Sequence, residues 1–280
     1  MTRILFATDL HGNRRSYGRL FDHALATGAG AVVLGGDITP LPPHHGDRVA
    51  PQREFLEGFL RDLLRDYRAR SGEARAWLLM GNDDWACNMD ALEAMEREDL
   101  CRLLHLKAHP FLDDLWIAGY SCVPVTPFFM KDWDRYDAPG WEPRHHPHKA
   151  LMSRDGKLVE GTLESDIRPR GTIEADLGRL EAMSDPARTV YVCHTPPLET
   201  KLDVLHDGTH IGSGAVKQFL VRSRSPLSLH GHIHESPKMS GSVCDRIGKT
   251  FGVNPGESMH ELQAVTIDLK MPSESLDMIS

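Results

Sequence analysis

No CxxC pair occurs in this sequence, and its five cysteines (Cys87, Cys101, Cys122, Cys193 and Cys244) are odd in number and dispersed. That speaks against a disulfide framework or a thiolate zinc module, and it suits small buried thiols in a reducing compartment. No apolar run approaches the ~20 residues of a membrane-spanning helix. The apolar stretch after Met1-Thr2-Arg3 is too short for a secretory signal, and Asp9 and His11 follow it at once. A soluble cytoplasmic protein without a membrane partner is the expectation. A Lys/Arg-rich tract is missing too: 32 basic against 40 acidic side chains leave a formal net charge of -8. This balance argues against a general binder of nucleic acid or anionic membranes, leaving only a local basic groove for nucleic acid. It does not argue against a phosphate substrate, because bound cations invert the local field. Repeats and low-complexity tracts are also absent. What the chain does have is bulk: 280 residues, 40% of them hydrophobic. Residues 1–280 therefore read as a single domain with a substantial core, in which a metal would serve function rather than stability.

Short apolar runs alternate with helical periodicity in the first half. Ile4–Ala7, Ala31–Leu34 and Trp77–Met80 read as buried strands. Between them, helices are predicted over about 15–26 and 51–70, the second from Pro51 and from Phe55, Leu56, Phe59, Leu60, Leu63, Leu64 and Tyr67 at helical spacing. Such alternation is the signature of βαβ units and a largely parallel sheet. Strands are also expected near 115–118, 189–193, 227–229, 243–253 and 261–269, and helices near 172–183 and 213–222. Residues 120–171 lose clear periodicity and are rich in Pro, His and aromatics. A structureless stretch that long is uncommon in a compact domain, so it reads as a lid or a mobile insertion.

The chemistry lies where the strands end. Five strand ends release metal-capable side chains into the next loop: Asp9 and His11, Asp37, Asn82, His194, and His232 with His234. In open α/β sheets, ligands bind outside the carboxyl ends of the strands. No single pair would persuade in a chain of 16 histidines; an isolated HxH is more often surface histidine. Their joint occurrence at successive strand ends is what points to a metal site. Carboxylate, amide and imidazole donors without thiolate favour Mn, Fe, Co, Ni or Zn. Seven such side chains are too many for one ion and suit two, if one carboxylate bridges. Cys193, beside His194, is a poor nucleophile candidate because adjacent strand residues point to opposite faces.

Asp9-Leu10-His11, Gly36-Asp37, Gly81-Asn82-Asp83-Asp84, His194 and Gly231-His232-Ile233-His234 stand in the order D-x-H, G-D, G-N-H-D, H, G-H-x-H. The set resembles the fingerprint of the calcineurin-like metallophosphoesterase superfamily, within its prokaryotic phosphoesterase and phosphodiesterase branch. It spans residues 9–234. The resemblance implies an α/β fold of two mixed β-sheets packed as a sandwich and flanked by helices, with 120–171 as an irregular insertion. It implies two divalent transition-metal ions, with Mn favoured. Asp9, His11, Asp37 and His234 would hold the first, Asp37 would bridge, and Asn82, His194 and His232 would complete the second. Two such ions lower the pKa of a bridging water and clamp the attacking and leaving oxygens of an in-line displacement. The run Gly248-Lys249-Thr250 to Asn254-Pro255-Gly256 looks like the closing strand and loop of prokaryotic members, and reads equally well as a simple β-turn.

One position departs from the pattern. The usual G-N-H-D carries a His thought to protonate the leaving oxygen, and Asp83 stands there instead. An ordinary Asp is ionised at neutral pH and a weak general acid. Asp83 is then held protonated by neighbouring carboxylates such as Asp84, or another His (His45, His206 or His210) leans in, or the substrate's leaving group needs little protonation. The last favours phosphodiesters over monoesters. Asp83, Asp84 and His45 are accordingly the catalytic candidates. Phe128, Phe129, Trp133, Tyr136 and Trp141 suit either stacking on a planar group or burial of the insertion. His145, His146 and His148 with Arg144 suit a phosphate-facing cluster or a solvated loop, and so do Lys131 and Arg135. The leading expectation is a hydrolase of a small phosphorylated substrate, nucleotide-derived ones included. Its rivals are a nuclease resembling the superfamily's repair exonucleases and a noncatalytic scaffold like the superfamily member in the retromer coat. The lack of a basic tract counts against the first, and the full ligand set against the second. No feature of the sequence sets an oligomeric state.

Overall fold

The first strand, β1 (Arg3–Ala7), is buried from Ile4 onward in the computed structural model, which describes residues 2–144, 150–258 and 260–279. Burial on both faces is why the run is apolar throughout rather than alternating. Helix α1 (Arg14–Thr27) follows, capped by the Asn13 side chain, which accepts from Ser16 N at 3.2 Å. After β2 (Ala31–Gly35) comes one long helical stretch, α2 (Ala50–Phe55) running through a π turn at Leu56–Leu60 into α3 (Arg61–Arg70). Pro51 sits in its first turn, where the missing N–H costs nothing. Then come β3 (Arg75–Leu79), α4 (Met89–Arg97) and β4 (Cys101–Leu103). The strands β1 to β4 are mutually parallel.

A second sheet starts with the antiparallel pair β5 (Ala108–Pro110) and β6 (Trp116–Tyr120). The segment expected to lack regular structure holds the short pair β7 (Val123–Pro124) and β8 (Asp134–Arg135), then a hairpin of β9 (Ala150–Arg154) and β10 (Lys157–Gly161). Asp155 and Gly156 join the hairpin strands with φ of 50° and 73°. This is a tight two-residue turn of the kind an Asp-Gly pair favours. Beyond it lie α5 (Ile173–Glu181), β11 (Thr189–Cys193), α6 (Gly214–Ser223), β12 (Leu227–Leu229) and the short α7 (Ser236–Ser240). The hairpin β13 (Cys244–Ile247) and β14 (Thr250–Val253) turns at Gly248-Lys249, and β15 (Ala264–Asp268) and β16 (Asp277–Ile279) end the chain.

The strand orders are β16-β15-β1-β2-β3-β4 and β13-β14-β12-β11-β6-β5, so both sheets are mixed. They pack face to face on Ile4, Phe6 and Val33 from one and Ile117, Val190, Val192 and Leu229 from the other. Intervening residues point outward because strand side chains alternate. Leu5, Val32 and Leu34 meet Tyr17, Leu20 and Leu64 of the helices, while Tyr120, Tyr191 and Cys193 meet Leu177, Leu180, Val216 and Phe219. The result is helix, sheet, sheet, helix, as expected. Cys193 does face away from the ligand side, and burial pushes its thiol up to about 12.

The aromatics of the insertion divide. Trp133 and Tyr136 are buried, Trp133 donating its indole N–H to Asp84 O at 2.8 Å, and Trp141 packs on Tyr136. These three serve packing. Phe128 and Phe129 remain 56% and 37% exposed. The triplet His145, His146 and His148 lies outside the described residues.

Candidate metal centre

Four of the seven proposed ligands leave their strand ends on a sharply bent backbone. Asp9, His11, Asp37 and His232 all have positive φ, at 54°, 42°, 50° and 66°. Non-glycine residues seldom adopt this region, at a cost of about 1–3 kcal/mol each, and such strain collects at functional sites. The bends are held by crossed main-chain bonds. Asp9 N donates to Gly36 O and His11 N to Asp37 O, both at 2.9 Å, and Gly231 N donates to His194 O at 2.9 Å. The His232 N–H points at the Asp9 carboxylate, 3.1 Å from each oxygen.

The glycines of the motifs have a steric reason. A Cβ on Gly81 would overlap Asp37 Oδ1 and come within 2.6 Å of His194 Nε2. One on Gly36 would enter the His194 ring, and one on Gly231 would strike Thr8 Oγ1 and Asp9 Oδ2. Three ligand loops thus close on one another with no room for a methyl group between them.

Within this cradle, ligand atoms of Asp9, His11, Asp37 and His234 all lie within 4.8 Å of one another. His234 Nε2 is 3.3 Å from Asp9 Oδ1 and 3.4 Å from His11 Nε2. Adjacent to them, His194 Nε2 is 3.2 Å from Asp37 Oδ2, 3.9 Å from Asp9 Oδ1 and 3.1 Å from Asn82 Oδ1. The His194 and His232 ring centroids are 5.4 Å apart. His194 Nδ1 donates to Gly35 O at 2.9 Å, so the neutral ring would turn its Nε2 lone pair toward Asp37.

Charge makes the case for a cation. Burial alone would raise Asp9 and Asp37, yet the imidazoles of His234 and His194 hold both below the usual carboxylate range. Burial lowers His194, but Asp37 prevails and pushes it up to about 10; Asp9 likewise takes His234 to about 9. His232, buried and beside His194, falls to about 3. Two buried carboxylates here are neutralised by protons on histidines, which is the role a divalent ion fills. His11 Nδ1 is buried without a hydrogen-bond partner, and the donors are all oxygen or nitrogen. The set fits hard to borderline divalent metals.

The catalytic candidates fare differently. Asp83 lies beside the cluster, its N–H donating to Asp37 Oδ1 at 2.7 Å and its Oδ1 accepting from Asn82 Nδ2 at 3.1 Å. Burial, then Asp37 and Asp84, push its carboxyl up to about 8. Asp84 is not grouped with the ligand atoms. Its fully buried carboxylate accepts from Ile38 N at 3.0 Å, Thr39 N at 2.8 Å, Gly81 N at 2.9 Å and the Thr39 hydroxyl. It bolts the Asp37 loop to the Asn82 loop. His45 is exposed, and among the described residues no hydrogen bond or ion pair joins it to the cluster. His206 Nε2 sits 3.5 Å from Glu235, and His210 Nδ1 2.7 Å from the buried Asp203.

Three supporting residues escaped the sequence reading. Gln52, fully buried on α2, donates to Asp83 O at 2.7 Å and Pro40 O at 3.0 Å and accepts from Trp85 N at 2.8 Å. A Gln on a buried helix face was the available signal. Glu257 Oε2 lies 3.6 Å from His234 Nδ1 and steadies that ring. Asn254 reaches Ile233 O at 3.2 Å and Leu202 O at 3.0 Å, pinning the loop that carries His232 and His234. Its place in the closing loop was visible in sequence; its task was not.

A family model for calcineurin-like phosphoesterases matches residues 2–236. A protein of Thermus thermophilus shares the fold with 17% identity and a TM-score of 0.62, over 100% of this chain and 98% of that one. A dimetal phosphatase from Danio rerio does so with 13% identity and a TM-score of 0.52, over 94% of this chain and 91% of that one. No curated protein sequence matches this chain significantly.

Proposed function

The chain belongs to the calcineurin-like phosphoesterase family, and from that premise we propose that it is a dinuclear metal-dependent phosphoester hydrolase favouring phosphodiesters. The observation carrying this reading is the convergence of Asp9, His11, Asp37 and His234 ligand atoms within 4.8 Å, from three separate strand ends. These four would hold a first ion, and Asn82, His194 and His232, together with Asp37, would hold a second. Bound there, the pair supplies Lewis-acid polarisation of the phosphoryl oxygens and a water acidic enough to attack near neutral pH. Manganese is the favoured metal, and a small phosphorylated molecule the partner. No helix among the described residues is long and apolar enough to cross a membrane, and the cytoplasm is the proposed compartment.

The protein's own groups do the positioning. The Gly35 carbonyl fixes the His194 tautomer, Glu257 orients His234, and the His232 N–H holds the Asp9 carboxylate. Asp83 holds a proton at neutral pH in the metal-free protein, since burial and two neighbouring carboxylates raise it to about 8. Cations in the cluster oppose that rise. A carboxyl in place of an imidazole therefore suits leaving groups that need little protonation, which supports the diester preference. The Danio rerio neighbour, a dimetal phosphatase, keeps monoesters as the alternative. With manganese, bis-p-nitrophenyl phosphate is expected to give the higher kcat/KM against p-nitrophenyl phosphate. A reversed ranking would remove the diester preference; turnover of neither ester with Mn, Co, Ni or Zn would remove the hydrolase reading.

A further inference from the structure

Outside the proposed ligand set, the loop that follows Asp37 meets the exposed phenylalanines of the insertion. The loop leaving Asp37 runs to α2 and carries Arg48, whose guanidinium lies 4.1 Å from the centroid of the Phe129 ring. Arg48 Nε donates to Pro43 O at 3.1 Å, and no carboxylate among the described residues lies within ion-pair distance of its two Nη groups. In a chain of net charge -8, where many arginines pair with carboxylates, this one is held by a carbonyl and an aromatic ring instead.

The two phenylalanines keep exposed area. Phe128, 56% exposed, and Phe129, 37% exposed, stand on the loop that Leu151 clasps, its N–H donating to Phe129 O at 2.7 Å. The anchoring runs straight to the ligand loops. Trp85 Nε1 donates to Arg48 O at 2.8 Å, Trp85 N donates to Gln52 Oε1, and Gln52 Nε2 donates to Asp83 O. Trp85 also packs with Val49 and Met130, the neighbours of Arg48 and Phe129. Trp85 is two residues from Asp83, so chain geometry keeps their Cα atoms within about 7 Å.

The geometry points to Arg48, Phe128 and Phe129 as a subsite for the base and a phosphate oxygen of a nucleoside phosphoester substrate. A planar guanidinium fixed on an aromatic ring leaves its outer face for stacking and its Nη groups for phosphate oxygens. Phe128, next to Phe129 in the chain and exposed, offers a second ring for stacking, and base–aromatic stacking does not require a particular base. A small aliphatic phosphoester would use neither. This inference rests on the hydrolase reading only for which ester is cut; the subsite itself is a binding claim.

Two esters with one leaving group separate the claims: thymidine 5′-(p-nitrophenyl phosphate) and methyl p-nitrophenyl phosphate, assayed with the manganese-loaded full chain. The nucleoside ester is expected to give at least a tenfold higher kcat/KM. Arg48→Ala and Phe128→Ala are each expected to shrink that ratio by roughly tenfold, mainly through KM, with Arg48→Lys intermediate. Phe128 is exposed, so its variant folds. A ratio near one in the wild type, or a ratio unchanged in both variants, overturns the subsite. Should neither ester be cut, the hydrolase reading falls instead, and calorimetry with thymidine 5′-monophosphate decides the subsite. Binding weakened roughly tenfold in both variants supports it, and equal binding in all three proteins overturns it.

Discussion

At the scale of single residues, the centre depends on atoms that are missing as much as on those present. Gly36, Gly81 and Gly231 let three loops approach until Asp37, His194 and Asp9 share one space. The candidate ligands could be picked out in sequence because each follows a short apolar run, and a buried strand can only deliver its next polar residues to the rim. What the sequence leaves open is how Asp83 titrates, since that depends on Asp37, 46 positions away yet bonded to its N–H at 2.7 Å. Asp83→His restores an imidazole beside the cluster. It is expected to raise kcat/KM by about a hundredfold or more for esters with poor leaving groups and little for p-nitrophenyl esters, the size usual for general acid catalysis. A leaving-group series on both proteins checks this; equal gains across the series would count against Asp83 governing protonation.

At the scale of elements, Asp84 is the joint between two ligand loops. Replacing it by Ala leaves the N–H groups of Ile38, Thr39 and Gly81 buried without an acceptor. The loss is expected to be about 3 kcal/mol or more in urea unfolding, with weakened metal binding. Reading Asp84 as a catalytic group from sequence alone was natural, because adjacency to Asp83 says nothing of which way its carboxylate turns. His105 gives this region a pH dependence. Burial, then Arg135, lower it to about 4, and its Nδ1 accepts from Ser121 N at 3.0 Å. In the unfolded chain it titrates near 6.5. Between those values the unfolded state binds the proton and the folded state does not, so stability is full above about 6.5 and falls as pH drops toward 4. The stability gap between wild type and His105→Asn should therefore narrow from pH 7 to pH 4.5, by an amount on the order of 2 kcal/mol. A gap that is constant across this range would refute the assignment.

The elements missed in sequence were short or settled by distant contacts. The hairpin Ala150–Gly161 went unread although Asp155-Gly156 between apolar runs is a strong turn signal. The surrounding Pro, His and aromatic residues hid it. Helix α4 spans Met89–Arg97 and buries only Ala91, Leu92 and Met95, too brief a stripe to stand out. Trp133 and Phe128 look alike in sequence, and only the partners available to each, Asp84 O for one and solvent for the other, separate packing from surface.

At the scale of the molecule, two mixed sheets meet on an apolar interface and deliver both sets of parallel strand ends to one rim. Asp9 and Asp37 come from one sheet and His194 and His232 from the other, so the centre straddles the sandwich. The arrangement was readable as a pattern because both sheets obey one rule, a buried strand followed by a polar loop. The claim that this rim holds a pair of cations is tested most directly by counting them. After equilibration with manganese and removal of free ion, elemental analysis of the folded protein should find close to two ions per chain. Asp37→Asn should retain one or fewer and lose turnover. A wild type without bound metal, or an Asp37→Asn protein with two ions and full activity, would contradict the dinuclear centre.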